Sequence, residues 1–367
     1  MRKKASKQKI DSTLLVTILL LSFIGLLMVA SSSWPESVKN GAGGYSFTLR
    51  HLVFLLMGLV ACGLTTVFPL KWIRKLSFLF WAVSFILCLL LWTPLGVNVS
   101  GSTRWLQIPY IGFRFMPSDL LKFSSVIFFA NLLDIYRGRG EKKGFIPLMI
   151  IFASSVLIVI VRDFSSAMVI GLTLGLMFLL AGMRFLEILF NLVGGGIGVR
   201  LMIYLFPYRI ERLQSFRDPF DDIADTDWQL ANSLYAFAMG GIRGVGYFNS
   251  RQKYSYVPEA YNDFIFAILG EEFGLLGTLF VVALFLVFIW RGMAIALSKK
   301  QVFDKLLAFG ITLAISIQAL FNMGVSVGGL PVTGITLPFI SYGGTSLILN
   351  LVLAGILLNL SKSEVEA

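Results

Sequence analysis

Charge is scarce in this 367-residue chain: Asp, Glu, Lys and Arg make up 14% of it, against roughly 25% in an average soluble domain. Histidine occurs once, at His51, which excludes a histidine-based triad and a multi-histidine metal site. The two cysteines, Cys62 and Cys88, both lie inside apolar runs, so neither a disulfide framework nor a metal site is expected. What is abundant is apolar surface: 57% hydrophobic residues, with 33 Phe and 35 Gly and a mean hydropathy of +0.82. That composition defines a multispanning integral membrane protein, with aromatic surface for lipid and glycine for close helix contacts. The net charge of +11 would suggest nucleic acid only in a soluble protein; here it reflects topology and anionic lipid, and no nucleic-acid partner is expected.

Runs of about twenty apolar residues, the length a membrane helix needs, fall near 12–31, 52–69, 75–95, 117–136, 145–161, 164–182, 185–206, 264–290, 304–326 and 338–360. The expected fold is therefore an all-α polytopic membrane protein of about ten transmembrane helices, forming a single domain over 1–367. The first run is too long for a signal peptide, lacks a small-residue cleavage site and leads into further spans. The stretch 145–182 is split at Arg162-Asp163, since a charged pair at mid-bilayer is costly. With the N-terminus inside, the short inside links carry the larger share of the 31 lysines and arginines, so both termini are expected in the cytoplasm. A large extracytoplasmic loop then spans about 207–263.

Four outside-facing stretches carry polar residues. In GVNVSGSTRWLQIPYIGFRFMPSDLLKF, Trp105 and Tyr110 read as interfacial aromatics, Arg104 and Arg114 as snorkelling cations and Pro117 as a helix-start proline. Asp119 and Lys122 lie three apart on one helix face, an expected buried ion pair. Arg162 through Ala167 reads as a polar hairpin between helices. From Asn322 through GGLPVTGITLPFISYGGTS, glycines and prolines interrupt the helical pattern, which points to a re-entrant, cavity-lining segment. The fourth stretch is the central loop, dense in charge and aromatics, with Arg209, Arg212, Arg217, Arg243, Arg251 and Lys253 beside many acids. It feeds Asp263, Glu271 and Glu272 into the next apolar run. Asp263 taken alone reads as a helix N-cap, but Glu271 lies eight residues on, about 12 Å deeper along a helix, and an N-cap needs no buried acid below it.

These residues carry a resemblance. D-x-x-L-L near the start, G-S-T-R-W with P-S-D-x-x-K, D-F-S-S-A, W-Q-L-A-N-S, S-x-Q-K, Y-x-P-E-A-x-x-D-F-I-F-A-x-x-G-E-E-x-G and G-I-T-L-P-F-I-S-Y-G-G-T-S together resemble the SEDS family. These are the RodA, FtsW and SpoVE proteins of bacterial wall growth, division and sporulation. The likeness runs from Asp11 to the last helix, and SRQK, the G-E-E triplet and ITLPFISYGG place it nearer the FtsW/SpoVE branch. It implies a ten-helix, inverting peptidoglycan glycosyltransferase of the bacterial cytoplasmic membrane that polymerises lipid II into a growing glycan strand. The implied partners are a class B penicillin-binding transpeptidase and other divisome or elongasome membrane proteins. The family's catalytic acid falls on Asp263. Two departures stand out: Met116-Pro117-Ser118-Asp119 with Lys122 where the family has Q-P-S-E-x-x-K, and Arg162 where it has proline.

The chemistry suits these residues. A transferase must deprotonate a sugar hydroxyl and stabilise a departing diphosphate, and a carboxylate at the outer boundary can act as the base once burial raises its pKa. Arg104, Lys122, Arg209, Arg212, Lys253 and Ser341 are candidate phosphate or sugar ligands, with Asp119, Glu259, Glu271 and Glu272 in support. No residue is assigned to a metal, and a divalent cation (Mg or Mn) is the candidate cofactor for the leaving group. A lipid II flippase and a non-catalytic scaffold for the transpeptidase are the alternatives. Clustering of polar residues towards the outside favours the enzyme, since a flippase needs them along its whole path.

Overall fold

The computed structural model describes residues 10–41, 43–99, 102–107, 114–137, 144–205, 210, 212, 215–221 and 228–362. Helices α1 (Ser12–Ser32), α2 (Trp34–Lys39), α3 (Ser46–Val67), α4 (Leu70–Leu89), α5 (Pro117–Arg137), α6 (Phe145–Ile160), α7 (Phe164–Leu180) and α8 (Phe185–Leu205) form the first part. After them come α9 (Trp228–Gly240), α10 (Ile265–Ser298), α11 (Val302–Ser326) and α12 (Gly344–Ser361). Among the described residues six helices are long and apolar enough to cross a membrane: α1, α3, α4 continued to Trp92, α8, α10 and α11. The chain is thus a mostly helical, multi-pass membrane protein.

Each expected apolar run contains a helix, with shifted ends. The run expected over 75–95 begins at Leu70 and closes with a 3-10 turn, Leu90–Trp92. The run 338–360 becomes helical only at Gly344, because 331–343 is irregular. The split at Arg162-Asp163 is observed: α6 ends at Ile160 and Asp163 caps α7, accepting from Ser166 N at 3.2 Å. The central loop is not wholly irregular, since WQLANSLYAFAMG folds as α9 and packs on α10. The stretch after α4, read as an outside-facing segment of interfacial aromatics and snorkelling cations, forms an antiparallel sheet. In it β1 (Gly96–Val99) pairs with β2 (Ser102–Gln107), and β2 with β3 (Arg114–Phe115).

Helix α11 lies at the centre, almost wholly buried, packed against α5, α7 and α10, while α3 packs along α12. Polar ties mark one end of the bundle. Asp11 caps α1, pairs with Arg291 near the end of α10 at 2.5 Å, and its N–H donates to Ser361 Oγ of α12 at 3.0 Å. Lys299 Nζ reaches Lys362 O at 3.1 Å. The start of α1 and the ends of α10 and α12 therefore share one end of the bundle, and the start of α10, with Asp263 before it, lies at the other.

Helix α10 is broken at Gly274, whose φ of 65° and ψ of −163° only glycine adopts readily. The backbone groups released there are taken up by residues 241–246. Val245 N and Gly246 N donate to Glu271 O and Glu272 O, each at 3.0 Å, while Leu275 N and Leu276 N donate to Gly241 O at 2.9 Å and Ile242 O at 3.2 Å. The loop thus enters the helix gap, as buried backbone groups require partners.

Candidate functional site

Asp263 is not the cap of α10. Phe264 occupies the N-cap position and no side chain bonds the first turn, so the carboxyl is left for another task. The main chain around it is pinned from two directions. Asn322 Nδ2, on α11, donates to Asp263 O and to Ile335 O, each at 2.7 Å. Ser341 Oγ donates to Asn262 O at 2.6 Å and accepts from Leu337 N at 2.7 Å, and Tyr342 N donates to Tyr261 O at 2.9 Å. Segment 335–342, the expected irregular stretch, thus serves as a brace for residues 261–263.

Cations converge on the carboxyl. Gly334 lies between Arg104 and Asp263: a Cβ there would come within 2.5 Å of Arg104 Nη1 and 3.2 Å of Asp263 Oδ2. Arg104 extends from β2, and its Nε is 3.9 Å from Asp163 Oδ1. Asp163 is in turn fixed by Ser118 Oγ at 2.8 Å, so the starts of α5 and α7 jointly aim this arginine. Arg212 Nη1 donates to Val332 O at 3.1 Å. Burial above all, with Glu259 and Asp163, pushes the Asp263 carboxyl up, Arg104 and Arg212 draw it down, and the balance lies at about 7. Near neutral pH such a group can both take and release a proton.

A cavity of about 240 Å³ opens beside these arginines. Its walls are Phe164, Ser165 and Met168 of α7, Val199 and Ile203 of α8, Phe321 of α11 and Leu330 to Thr333, with Arg104 and Arg212 also lining it. The irregular segment after Asn322 is therefore a cavity wall, as its broken pattern suggests.

The remaining sequence-derived candidates divide into two groups. Lys122 Nζ lies 3.0 Å from Asp119 Oδ1 and 2.5 Å from Gln318 Oε1, all three buried, and Gln318 Nε2 continues to Thr336 O at 2.9 Å. The shorter acid at 119 still closes the pair, which supports the floor of the site through Thr336. Glu259 hydrogen-bonds the side chains of Tyr261 and Asn262. Lys253 goes elsewhere: its ammonium donates to Ser31 Oγ at 2.8 Å, Phe248 O at 2.6 Å and Glu272 Oε1 at 3.2 Å, which uses all three N–H groups. Glu272 also accepts from Ser31 Oγ, while Glu271 accepts from Ser250 Oγ and, at 2.8 Å, from Arg251 N. The acids read from sequence as lying below Asp263 therefore anchor the loop to α10 rather than reaching the site. Arg209 lies outside the described residues.

Sequence reasoning passed over Asp163, Ser118 and Gln318. The first was read as part of a polar hairpin, and its partner Arg104 is remote in sequence. Arg162, the residue in place of a proline, stacks its guanidinium 4.4 Å from the centroid of Trp92, a cation–π contact that holds the hairpin to the end of α4.

This fold and site define a multi-pass helical membrane protein with a buried carboxylate, Asp263, near Arg104 at the bundle end opposite the start of α1 and the end of α12. Comparison with known proteins gives the family. The family model for FtsW, RodA and SpoVE, described as "Cell cycle protein", matches residues 11–366, and the chain belongs to that family. It is 37% identical to the probable peptidoglycan glycosyltransferase FtsW of Coxiella burnetii, over 98% of this chain and 99% of that protein. It is 36% identical to stage V sporulation protein E of Bacillus subtilis, over 96% and 97%. Among solved structures, a chain of a peptidoglycan synthase complex superposes with a TM-score of 0.77 at 23% identity, covering 96% of this chain and 97% of that one. Rod shape determining protein RodA of Thermus thermophilus gives 0.70 at 20%, covering 97% of both.

Proposed function

We propose that the chain is a peptidoglycan glycosyltransferase that polymerises lipid II at the outer face of the bacterial cytoplasmic membrane. The observation that carries this reading is the Asp263 carboxyl, raised to about 7, set beside Arg104 and Arg212. The ionised carboxylate takes the proton of the acceptor sugar hydroxyl, whose oxygen bonds the donor's anomeric carbon from the face opposite its phosphate. The bond from that carbon to the phosphate oxygen breaks, and its electron pair leaves with the polyprenyl diphosphate, giving inversion and no covalent enzyme intermediate. Arg104 and Arg212 neutralise the charge gathering on the diphosphate. Among the described residues no three His, Cys, Asp or Glu side chains converge, and guanidinium groups stand beside Asp263, so these residues do not fit a protein-held metal and no step is routed through one.

In this reading ten helices cross the bilayer, the six long ones together with α5, α6, α7 and α12, and both termini are cytoplasmic. A class B penicillin-binding protein is the expected partner, since the family acts in wall growth beside such transpeptidases. The test is purified protein incubated with lipid II in detergent, with and without the transpeptidase. Wild type should make glycan, and Asp263→Asn about 10²–10⁴-fold less while still folding. Lipid II transport with no polymer from either protein would replace the enzyme by a flippase.

A further inference from the structure

At the end of the bundle that holds Asp11, the turn from α3 to α4 is tied down by α12. Lys362 Nζ donates to Thr66 O at 2.7 Å and Asn359 Nδ2 to Phe68 O at 2.6 Å, so carbonyls at the end of α3 already have partners. Three cations follow within the first two turns of α4. Arg74 turns inward: its Nε donates to Asn131 Oδ1 at 3.0 Å, it pairs with Asp134 of α5, and it lies over the Phe303 ring. Lys71 and Lys75 are both exposed and stand one turn apart on one face. Among the described residues neither pairs with a carboxylate. Like charges at that spacing work against the helix, and a signal for membrane orientation needs cations only in the link, not on one side of a helix. Trp72, beside them, is 44% exposed, with Lys75 Nζ 5.1 Å from its ring centroid, and tryptophan marks the level of the bilayer interface. Further along the same face Phe78, Leu79 and Ile86 are exposed. Two cations at the head of an apolar face match an amphiphile with an anionic head.

We propose that Lys71 and Lys75 close on the phosphate of one anionic phospholipid, whose acyl chains lie along the exposed side of α4. This inference stands apart from the glycosyltransferase reading and needs only that this end of the bundle meets a bilayer surface. Residues four apart on a helix have Cβ atoms about 5–6 Å from each other, so two flexible lysines can share one phosphate. Each cation at the surface adds to the attraction for an anionic headgroup. Phosphatidylglycerol keeps its negative charge, whereas phosphatidylethanolamine offsets its phosphate with its own ammonium, so the pair of lysines selects the first. Arg74 and its partners meanwhile fix α4 to α5, so the lysines stand on a braced helix and little backbone freedom is lost on binding.

The test uses the full-length protein in a neutral detergent. The probes are phosphatidylglycerol, phosphatidylethanolamine and phosphatidylcholine with identical chains, and glycerol 3-phosphate as the soluble headgroup. Thermal unfolding and the lipids retained in native mass spectrometry are the readouts. Phosphatidylglycerol should raise Tm as its concentration increases and stay bound, and the other three should do neither. Lys75→Gln should weaken its apparent affinity about fivefold, and Lys71→Gln with Lys75→Gln about thirtyfold. Lys71→Arg with Lys75→Arg should keep it. Lys39→Gln removes a cation after α1, at the opposite end of the bundle, and should change nothing. The single variant serves if the double one folds poorly. An equal response to all three lipids would indicate an unselective lipid shell and overturn the proposal. So would glycerol 3-phosphate acting as well as the lipid, or a double glutamine variant that binds as wild type does. A loss in Lys39→Gln as large as in the double variant would also sink it, since attraction to net charge would then suffice.

Discussion

Asn322 holds the main chain of Asp263. One side-chain nitrogen, on a helix buried at the centre of the bundle, donates to Asp263 O and Ile335 O at 2.7 Å each. It thereby joins the loop that bears the carboxyl to the segment that braces it. Asn322→Ala leaves both carbonyls without this donor, and a buried unsatisfied group costs about 1–3 kcal/mol. Thermal unfolding should show that loss. Polymerisation should fall more steeply than stability alone requires, because a misplaced base is expected to cost about 10²-fold. Full activity in a destabilised Asn322→Ala protein would separate this bond from the chemistry.

The proton affinity of Asp263 makes a pH prediction. In the proposed mechanism the ionised carboxylate is the active form, so the glycan rate should rise through about pH 7 and level above it. Stability should move the other way. The folded carboxyl binds its proton up to about 7, whereas an unfolded one loses it near 3.9. Between those values the folded state holds more protons, and stability drops as pH increases. Asp263→Asn removes this, so its Tm gain over wild type should be larger at pH 8 than at pH 5. An equal gain at both would mean that the carboxyl is not held in a desolvating site.

Gly334 offers a change that touches the site and little else. In Gly334→Ala the new methyl would meet Arg104 Nη1 at 2.5 Å, too close to tolerate, so the guanidinium must move away from Asp263. The pH midpoint of activity should then shift upward, since an opposite charge favouring the ionised form has been moved off. An unshifted midpoint would show that Arg104 does not act on this carboxylate.

For Asp119 and Lys122, removal of one partner leaves a buried charge uncompensated, at a cost of about 3–5 kcal/mol. Each single alanine should unfold far earlier than wild type, whereas a double apolar replacement should recover much of the loss. A stable, active Lys122→Ala protein would count against both a structural and a substrate role for the pair.

Topology is open to direct labelling, the two native cysteines being buried. A cysteine at Lys300 should react only from the cytoplasmic side and one at Asp221 only from outside. The reverse pattern would put Asp263 on the wrong face for a membrane-anchored sugar acceptor.

Much of this arrangement was legible in the chain because lipid enforces simple rules. Apolar length located the helices, and the charged pair at 162–163 marked the break between α6 and α7. Asp263 was found by motif, and its freedom from capping only by structure. The hairpin under Arg104 left a local trace that was passed over: β-branched V-N-V and S-T-R-W around Ser100-Gly101, a two-residue turn signal. Asp163 left none, because what distinguishes it is a partner 59 positions away in the chain, and periodicity does not report pairing at that range. Glu271 and Glu272 misled for the same reason: both are buried, but their partners Lys253, Ser250 and Ser31 come from loop and first helix.

The break at Gly274 bears on how the protein is made. Until residues 241–246 dock, α10 has a gap whose N–H and C=O groups face hydrocarbon unsatisfied, a costly condition. The chain that fills the gap is synthesised before the second half of α10. If the loop faces outside, as proposed, biogenesis contains a step in which an exported segment docks into the helix to complete it. Loop variants such as Gly244→Val, whose side chain would collide with Glu272 O, should therefore accumulate as inserted but protease-sensitive protein rather than fail to insert.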